Sequence, residues 1–176
     1  MSFGAFARRI HAEIERSLEE VDKEECARLA DRILGAERVF LAGAGRSGLA
    51  VRAFAMRLMH LGLTVHMVGE VTTPAIAAGD LLVVGSRSGE TSSLTAAARK
   101  ARSLGAAVAL VTARPDSSLA AHSDLLVRIP AAESSQPMGS LFEQVLFLVF
   151  DALVLFLLER AGTDAGGMSS RHANLE

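Results

Sequence analysis

Apolar residues recur every three or four positions at the start of the chain, with charged residues between them. The apolar set is Phe3, Phe6, Ile10, Ile14, Leu18 and Val21. This spacing is typical of an amphipathic helix. A second helix is predicted from about residue 23 to residue 34, because Gly35 follows it and glycine favours a helix end.

After Gly35 the pattern changes to short runs that are apolar at almost every position. The runs are residues 39–42, 64–68, 81–84, 107–111 and 125–129. Runs of this length predict strands buried on both faces. Helical segments are predicted between most of them, at residues 47–61, 91–104 and 117–122. This alternation predicts an α/β fold with right-handed crossovers and a parallel sheet.

A final helix is predicted over residues 140–160, and nearly every side chain in residues 145–158 is apolar. A helix that is apolar on all sides must be buried on all sides, yet one sheet covers only one face. The sequence therefore predicts a homo-oligomer. Fourteen residues interrupted by Asp151 are too short to span a bilayer, so we expect a soluble, cytoplasmic protein without a membrane partner.

Composition narrows the class of protein. The chain has 176 residues, of which 50% are hydrophobic and 22% charged. That length predicts a single domain over residues 1–176, with added helices in residues 1–35. A net charge of −2 argues against nucleic acid as a ligand. One cysteine, Cys26, fits a reducing compartment, and Ala165-Gly166-Gly167 predicts a flexible joint before the tail at 165–176.

Two glycine-serine loops follow predicted strands and open predicted helices. Residues 43–48 include Gly45, Arg46 and Ser47, and the second loop spans residues 86–93. The candidate ligand-binding residues of the second loop are Ser86, Ser88, Gly89, Glu90 and Thr91. Helix N-termini at the carboxyl ends of parallel strands attract anions, and hydroxyl groups suit phosphate oxygens.

Helix capping is the simpler interpretation of each loop alone. Ser47 and Thr91 would then satisfy the free N–H groups of their own helices. Five hydroxyl residues between positions 86 and 93 exceed what capping requires. We therefore favour a phosphorylated ligand.

The glycines Gly43, Gly45 and Gly48 also spell a dinucleotide-binding pattern, with Glu70 further along. Arg46 and Ser47 stand where that turn needs bare backbone, and the second hydroxyl loop has no role in such a site. The sequence also contains no substrate domain to receive a hydride. The dinucleotide hypothesis is therefore disfavoured, and added NAD tests it.

The order Gly-x-Gly-x-Ser, then Ser-x-Ser-Gly-x-Thr, resembles the sugar isomerase (SIS) domain family, and within it the 6-phospho-3-hexuloisomerases. The matching segments are residues 42–48, 57–62, 68–76, 86–91, 137–144 and 171–176. The Thr-Thr-Pro-Ala-Ile segment at 72–76 and the terminal Arg-His-Ala-Asn-Leu-Glu are the most specific. Arg87 departs from the pattern, since such loops often have a small residue there, and it adds a cation beside the expected phosphate.

The resemblance implies a three-layer α/β/α sandwich with a five-stranded parallel sheet in flavodoxin-like order. It also implies interconversion of 3-hexulose 6-phosphate and fructose 6-phosphate in the ribulose monophosphate pathway of formaldehyde fixation. A dimer or tetramer, hexulose-phosphate synthase as functional neighbour, and no metal or cofactor are expected with it. The alternatives are another phosphosugar isomerase of the family, for example one acting on arabinose 5-phosphate, or a non-catalytic sugar-phosphate-binding module.

Two residues are candidates for proton transfer. Glu143 stands in the first turn of the apolar helix, and the family's active-site glutamate aligns with it. Its alternative role is a capping box with Ser140. His172 stands in the C-terminal tail, from which related isomerases supply a histidine to the site, sometimes across a subunit boundary. Which of the two removes the C2 proton stays open.

Overall fold

The computed structural model describes residues 2–131, 134–162 and 165–174. The strands are β1 (Val39–Gly43), β2 (Val65–Met67), β3 (Leu81–Gly85), β4 (Ala107–Thr112) and β5 (Leu125–Arg128). They form one sheet in the order β2-β1-β3-β4-β5, and every neighbouring pair is parallel. The five predicted strands and the flavodoxin-like order are confirmed.

The helices are α1 (Phe3–Glu19), α2 (Lys23–Gly35), α3 (Gly45–His60), α4 (Ser92–Ser103), α5 (Ser140–Ala161) and α6 (Ala165–Ser169). Two predictions were wrong. Only a three-residue 3-10 turn, Ala120–His122, forms within residues 117–122, because the chain enters β5 directly after it. The glycines expected to form a flexible joint belong to α6.

Alternate residues of each strand face opposite sides of the sheet. Leu41, Val83 and Val111 pack into one core cluster with α2, α3 and α5. Their neighbours along the strands, such as Leu82 and Leu110, pack against α4 in a second cluster. Helices thus cover both faces, and the predicted three-layer arrangement is confirmed.

Helix α5 is the longest element of the described chain, with 22 residues. By length and composition alone, the segment Pro137–Ala161 would suffice to cross a membrane, so the fourteen-residue argument underestimated the helix. Half of its most apolar stretch is nevertheless buried inside the fold. Phe150 stacks on Phe54 of α3 with ring centroids 4.2 Å apart. These contacts are those of a core helix.

At the amino edge of the sheet, Arg38 and Asp80 form an ion pair in which both carboxylate oxygens accept hydrogen bonds. Arg38 Nη2 lies 2.6 Å from Asp80 Oδ2, and Arg38 Nε donates to Oδ1 at 2.9 Å. The Ala77 N–H donates to Oδ2 at 2.8 Å. Burial alone would raise the pKa of Asp80, but these bonds outweigh it and lower the pKa below 3.8. This pair stabilises the fold far from the two glycine-serine loops.

Helix α1 holds the segment that leads into α5. The Glu13 carboxylate accepts hydrogen bonds from Ser134 Oγ at 2.7 Å, Ser135 Oγ at 2.7 Å and Gln136 Nε2 at 3.0 Å. These bonds lower the pKa of Glu13 from 4.5 to about 2. The Ser17 hydroxyl also donates to the Pro130 carbonyl. The added N-terminal helices therefore set the path by which the chain reaches the start of α5.

Candidate active site

The two glycine-serine loops meet at the carboxyl edge of the sheet. Strands β1 and β3 are paired in register, so that Gly43 lies opposite Gly85 and both loops leave the sheet side by side. Between them lies a cavity of about 130 Å³. Its lining comprises Ala44, Ser47, Gly85, Ser86, Arg87, Ser88, Thr91, Leu94 and Glu143. The two loops therefore converge on one cavity.

Glycines bring α3 close to the end of β1. A Cβ on Gly48 would lie 2.7 Å from the Gly43 carbonyl oxygen, and a Cβ on Gly43 would lie 2.9 Å from the Gly48 Cα. Only glycine fits at either position without a backbone shift. Two of the three glycines that resembled a dinucleotide fingerprint, Gly43 and Gly48, therefore have a packing role that is independent of any dinucleotide.

The helices that start at this cavity have no side-chain caps. The N-cap residue of α3 is Ala44, and Thr91 at the N-cap of α4 makes no capping bond. Within the described chain, the hydroxyls of Ser47 and Thr91 have no hydrogen-bond partner. The capping interpretation of these two hydroxyls is therefore wrong, since a capping oxygen would accept from its own helix. Both remain free to donate to a ligand.

Two serines of the second loop fix its shape. Ser86 Oγ accepts from the Gly89 N–H and Ser88 Oγ accepts from the Glu90 N–H, each at 3.2 Å. A hydroxyl that accepts one bond still has its own hydrogen to donate. Ser86 and Ser88 can therefore hold the loop and bind an anion at the same time.

Glu90 has a different position from the one expected of a ligand. Its carboxylate accepts from the Ser118 N–H at 2.9 Å and the Ser118 hydroxyl at 2.6 Å. These bonds lower the pKa of Glu90. Glu90 is absent from the cavity lining, so the structure assigns its side chain to holding the loop after β4 rather than to phosphate. A carboxylate facing a phosphate would also repel it.

Glu143 lies at the same cavity with one oxygen unsatisfied. Arg46 Nη1 is 3.2 Å from Glu143 Oε2, and the two groups form an ion pair without a hydrogen bond. The same Nη1 donates a hydrogen bond to Ser140 Oγ. Oε2 is buried and accepts no hydrogen bond from the described residues. A buried carboxylate oxygen without a hydrogen-bond donor is uncommon in a folded protein.

The capping-box interpretation of Ser140 and Glu143 is wrong. Helix α5 begins at Ser140 itself, after a left-handed Gly139, and the Ser140 hydroxyl donates to the Pro137 carbonyl at 2.8 Å. Ser140 is therefore one position too late to cap. Glu143 therefore takes no part in a capping box.

A second, more open cavity of about 430 Å³ lies on the other side of Glu143. Its lining comprises Arg46, Leu49, Ala50, Glu143, Gln144, Phe147 and Leu148. The Gln144 side-chain oxygen is also buried without a partner in the described structure. Gln144 was not predicted as a site residue, although a lone amide in an apolar helix was a usable signal. Glu143 thus borders both a polar cavity and an apolar one.

His172 lies far from Glu143 within one chain. Its ring stacks on His60 at 5.3 Å, at the end of α3 opposite to Arg46. His60 lies fourteen positions after Arg46 along α3, which corresponds to a rise of about 21 Å. Arg171 Nη1 donates to the His60 carbonyl at 3.2 Å and so fastens the tail there. The structure does not bring the two candidate catalytic residues together in one subunit, and Leu175 and Glu176 lie outside the described residues.

Other candidates have ordinary structural roles. Burial raises the pKa of the Cys26 thiol to about 11, so it is a poor nucleophile. Burial, with Arg57 and His172 nearby, lowers the pKa of His60. The Thr73 hydroxyl donates to the Met67 carbonyl at 2.5 Å and closes a turn. In the described ranges, no three His, Cys, Asp or Glu side chains are grouped to hold a metal ion.

Known proteins are similar to this chain over most of its length. Residues 32–159 match the model of the SIS domain. The chain is 48% identical to the 3-hexulose-6-phosphate isomerase of Bacillus subtilis, over 93% of this chain and 94% of that protein. It is 49% identical to the 3-hexulose-6-phosphate isomerase of Mycobacterium gastri, over 95% and 88% of the two chains.

A solved structure is also similar over its whole length. The crystal structure of a hypothetical protein from Methanococcus jannaschii, inferred to be a 3-hexulose-6-phosphate isomerase, superimposes with a TM-score of 0.90. The sequences are 32% identical, and the match covers 98% of this chain and 99% of that one.

Proposed function

The chain belongs to the SIS domain family, and we propose that it is an isomerase that interconverts 3-hexulose 6-phosphate and fructose 6-phosphate. The observation that supports this most directly is the buried, unsatisfied Glu143 Oε2 beside a cavity lined by free hydroxyls. A phosphosugar isomerase needs both parts, an anchor for the phosphate and a base near the reacting carbons.

The small polar cavity receives the phosphate. The hydroxyls of Ser47, Ser86, Ser88 and Thr91 and the uncapped N–H groups of α3 and α4 supply neutral donors. Helix dipoles add to the attraction for an anion at this position. Binding at the phosphate fixes the sugar chain, and the binding energy is used to bring C2 to the base.

Glu143 acts as the base. Its carboxylate takes the proton from C2 of the 3-ketose, and the electron pair of that C–H bond forms the C2–C3 double bond of an enediolate. The protonated Glu143 then returns a proton to C3 while the hydroxyl hydrogen at O2 is transferred to O3, which leaves the carbonyl at C2 and restores the carboxylate. Arg46, 3.2 Å from Glu143, is placed to stabilise the negative charge that develops on the oxygens.

His172 assists the oxygen proton transfer from a neighbouring subunit. About 21 Å of α3 separates it from the site in its own chain, so only another copy can place it beside Glu143. An exposed apolar surface on α3 and α5 offers the contact area, with Leu49 at 65% and Leu155 at 68% exposure and Phe147 also partly exposed. A dimer or tetramer that covers this surface is part of the proposal.

The chemistry of the substrate also suggests which reaction supplies it. A 3-hexulose 6-phosphate is the product of adding formaldehyde to a pentulose phosphate, so a hexulose-phosphate synthase is the functional neighbour. We place both activities in the cytoplasm, within the ribulose monophosphate pathway. No cofactor is needed for the proton transfers described.

A coupled assay tests the proposal. Purified protein is supplied with 3-hexulose 6-phosphate, and fructose 6-phosphate is detected by its further reaction. Arabinose 5-phosphate and sedoheptulose 7-phosphate serve as competing substrates. We expect turnover of the hexulose phosphate at a much higher kcat/KM than of either control. Higher kcat/KM with arabinose 5-phosphate would instead favour another isomerase of the family, and binding without turnover a sugar-phosphate sensor.

A further inference from the structure

Arg87 is a cation at the phosphate cavity for which the described structure shows no partner. It lines the cavity together with Ser47, Ser86 and Thr91. Arg46 is paired with Glu143, Arg38 with Asp80 and Arg52 with Glu70, but no described carboxylate lies within ion-pair distance of Arg87. The guanidinium is therefore available to an anion in the cavity.

The backbone of Arg87 is fixed by two hydrogen bonds to its carbonyl oxygen. Its carbonyl oxygen accepts from the Thr112 hydroxyl at 3.2 Å and from the Ala113 N–H at 3.3 Å. Both donors lie at the end of β4, the strand next to β3. Arg87 therefore starts from a rigid position at the edge of the sheet, although its side chain is exposed.

The side chain of Arg87 packs against Gly139. A Cβ on Gly139 would collide with Nε and Cδ of Arg87 and would lie 3.0 Å from Cζ. Gly139 has a φ of 84° and follows Met138, which has a φ of 61° although it is not glycine. Two successive left-handed residues make a sharp turn directly before α5, and the arginine packs on it. Glycine at 139 allows both the turn and the contact.

We propose that Arg87 is a phosphate-binding residue of this site, held in place by its contact with Gly139. The guanidinium would add a positive charge to the neutral donors that the hydroxyls and the helix N-termini supply. A planar guanidinium binds phosphate through two parallel hydrogen bonds, which adds charge and orientation that hydroxyls lack. The inference rests on the proposed function for its ligand, a sugar phosphate.

The contact with Gly139 also links the phosphate to the base. Gly139 is the N-cap residue of α5, and Glu143 follows in the first turn of that helix. An anion bound by Arg87 therefore also acts on the turn that sets the position of Glu143. Arg87 would then influence both phosphate binding and the position of the base Glu143.

Binding and kinetics of Arg87→Ala and Arg87→Lys test the proposal. Inorganic phosphate and fructose 6-phosphate are titrated separately into each variant by calorimetry, with Arg99→Ala as the control. Arg99 is an exposed cation on α4, so its loss removes the same charge away from the cavity. We expect Arg87→Ala to weaken both ligands about ten- to one-hundred-fold, as for loss of a charged hydrogen bond. Arg87→Lys should recover part of this loss and Arg99→Ala should have no effect.

Gly139→Ala provides a second variant that leaves the charge in place. Its methyl group displaces Arg87, so phosphate binding should weaken as in Arg87→Ala, and the double variant should be no worse than either single one. A circular dichroism melt confirms that each variant is folded.

The outcomes separate this inference from the proposed function. Phosphate that binds equally to wild type and Arg87→Ala, or not at all to wild type, overturns the inference whatever the activity. Weaker fructose 6-phosphate with unchanged inorganic phosphate also overturns it, because Arg87 would then contact the sugar. Absence of isomerase activity in wild type defeats only the proposed function, since the phosphate titration still decides the role of Arg87.

Discussion

The helices of this protein begin in two different ways. At the N-terminal end of the chain, Ser2 caps α1, and the Asp22 carboxylate caps α2 by accepting from the N–H groups of Glu24 and Glu25 at 2.7 and 3.1 Å. At the carboxyl edge of the sheet, α3, α4 and α5 have Ala44, Thr91 and Gly139 as their N-cap residues, and none of these makes a side-chain cap.

The difference separates donors used for folding from donors kept for a ligand. A cap satisfies N–H groups that the helix itself cannot pair, and its loss costs stability. Around the cavity the same groups remain free, even though Ser47 and Thr91 are residue types that cap well. On the proposed function, the carboxyl edge, where Glu143 also lies, would give up local stability in order to attract a phosphate.

The largest effect is expected at Glu143. Glu143→Gln keeps the size of the side chain but removes the base, so kcat should fall by about 10²–10⁴-fold. Thermal stability should stay close to that of wild type, because no described hydrogen bond to Oε2 is lost. Steady-state kinetics and a thermal melt measure both. A variant that melts much earlier yet turns over normally would mean that Glu143 is structural.

The free hydroxyls should affect substrate binding more than folding. Ser47→Ala and Thr91→Val each remove a donor that the fold does not use, so KM should rise about ten-fold while the free energy of unfolding changes by less than about 0.5 kcal/mol. Ser93→Ala, on the same helix but outside the cavity lining, is the control and should leave KM unchanged. Equal KM values for all three variants would remove the distinction between capped and uncapped helices.

Glu13 should affect folding in a pH-dependent way. Its pKa is about 2 in the folded chain, against an ordinary value of 4.5, so its stabilising contribution is complete above pH 4.5 and is lost as the pH falls toward 2. Glu13→Gln should lower the melting temperature by roughly 2–4 °C near neutral pH, for a contribution of about 1 kcal/mol. The gap should narrow as the pH falls below 4.5 and close as it approaches about 2. A gap that is constant with pH would show that charge is not the cause.

The smallest effect is expected at the cap of α2. Asp22→Ala should lower the free energy of unfolding by about 0.5–1 kcal/mol. The kcat and KM of the folded protein should not change, because α2 lies outside the cavity lining. Denaturant unfolding and the coupled assay together measure this. A raised KM would mean that the two kinds of helix start are not separate in function.

Much of the fold was predictable because buried parallel strands leave a plain pattern. Runs such as Leu81–Gly85 are apolar at successive positions and end in glycine, which marks both the strand and the loop that follows. The two glycine-serine loops were predictable for the same reason, since parallel strands place their carboxyl ends at one edge. Their residue types also identified the family.

The parts that escaped prediction depend on contacts between distant residues. The bond between Glu90 and Ser118 joins positions 28 apart, and the bond between Arg171 and His60 joins positions 111 apart. Neither leaves a local pattern. The Ser140–Glu143 capping box failed because helix α5 starts at Ser140, one residue earlier than the motif requires, directly after the left-handed Gly139. A motif read along the chain cannot show on which residue a helix begins.

Exchange of the C2 hydrogen of 3-hexulose 6-phosphate with deuterated water tests the central claim most directly. Mass spectrometry follows deuterium incorporation in wild type and Glu143→Gln at saturating substrate, so that binding does not limit the rate. The account predicts ready exchange in wild type and a rate lower by about a hundred-fold or more in the variant. Equal exchange in both would show that another group removes the proton and would contradict the account.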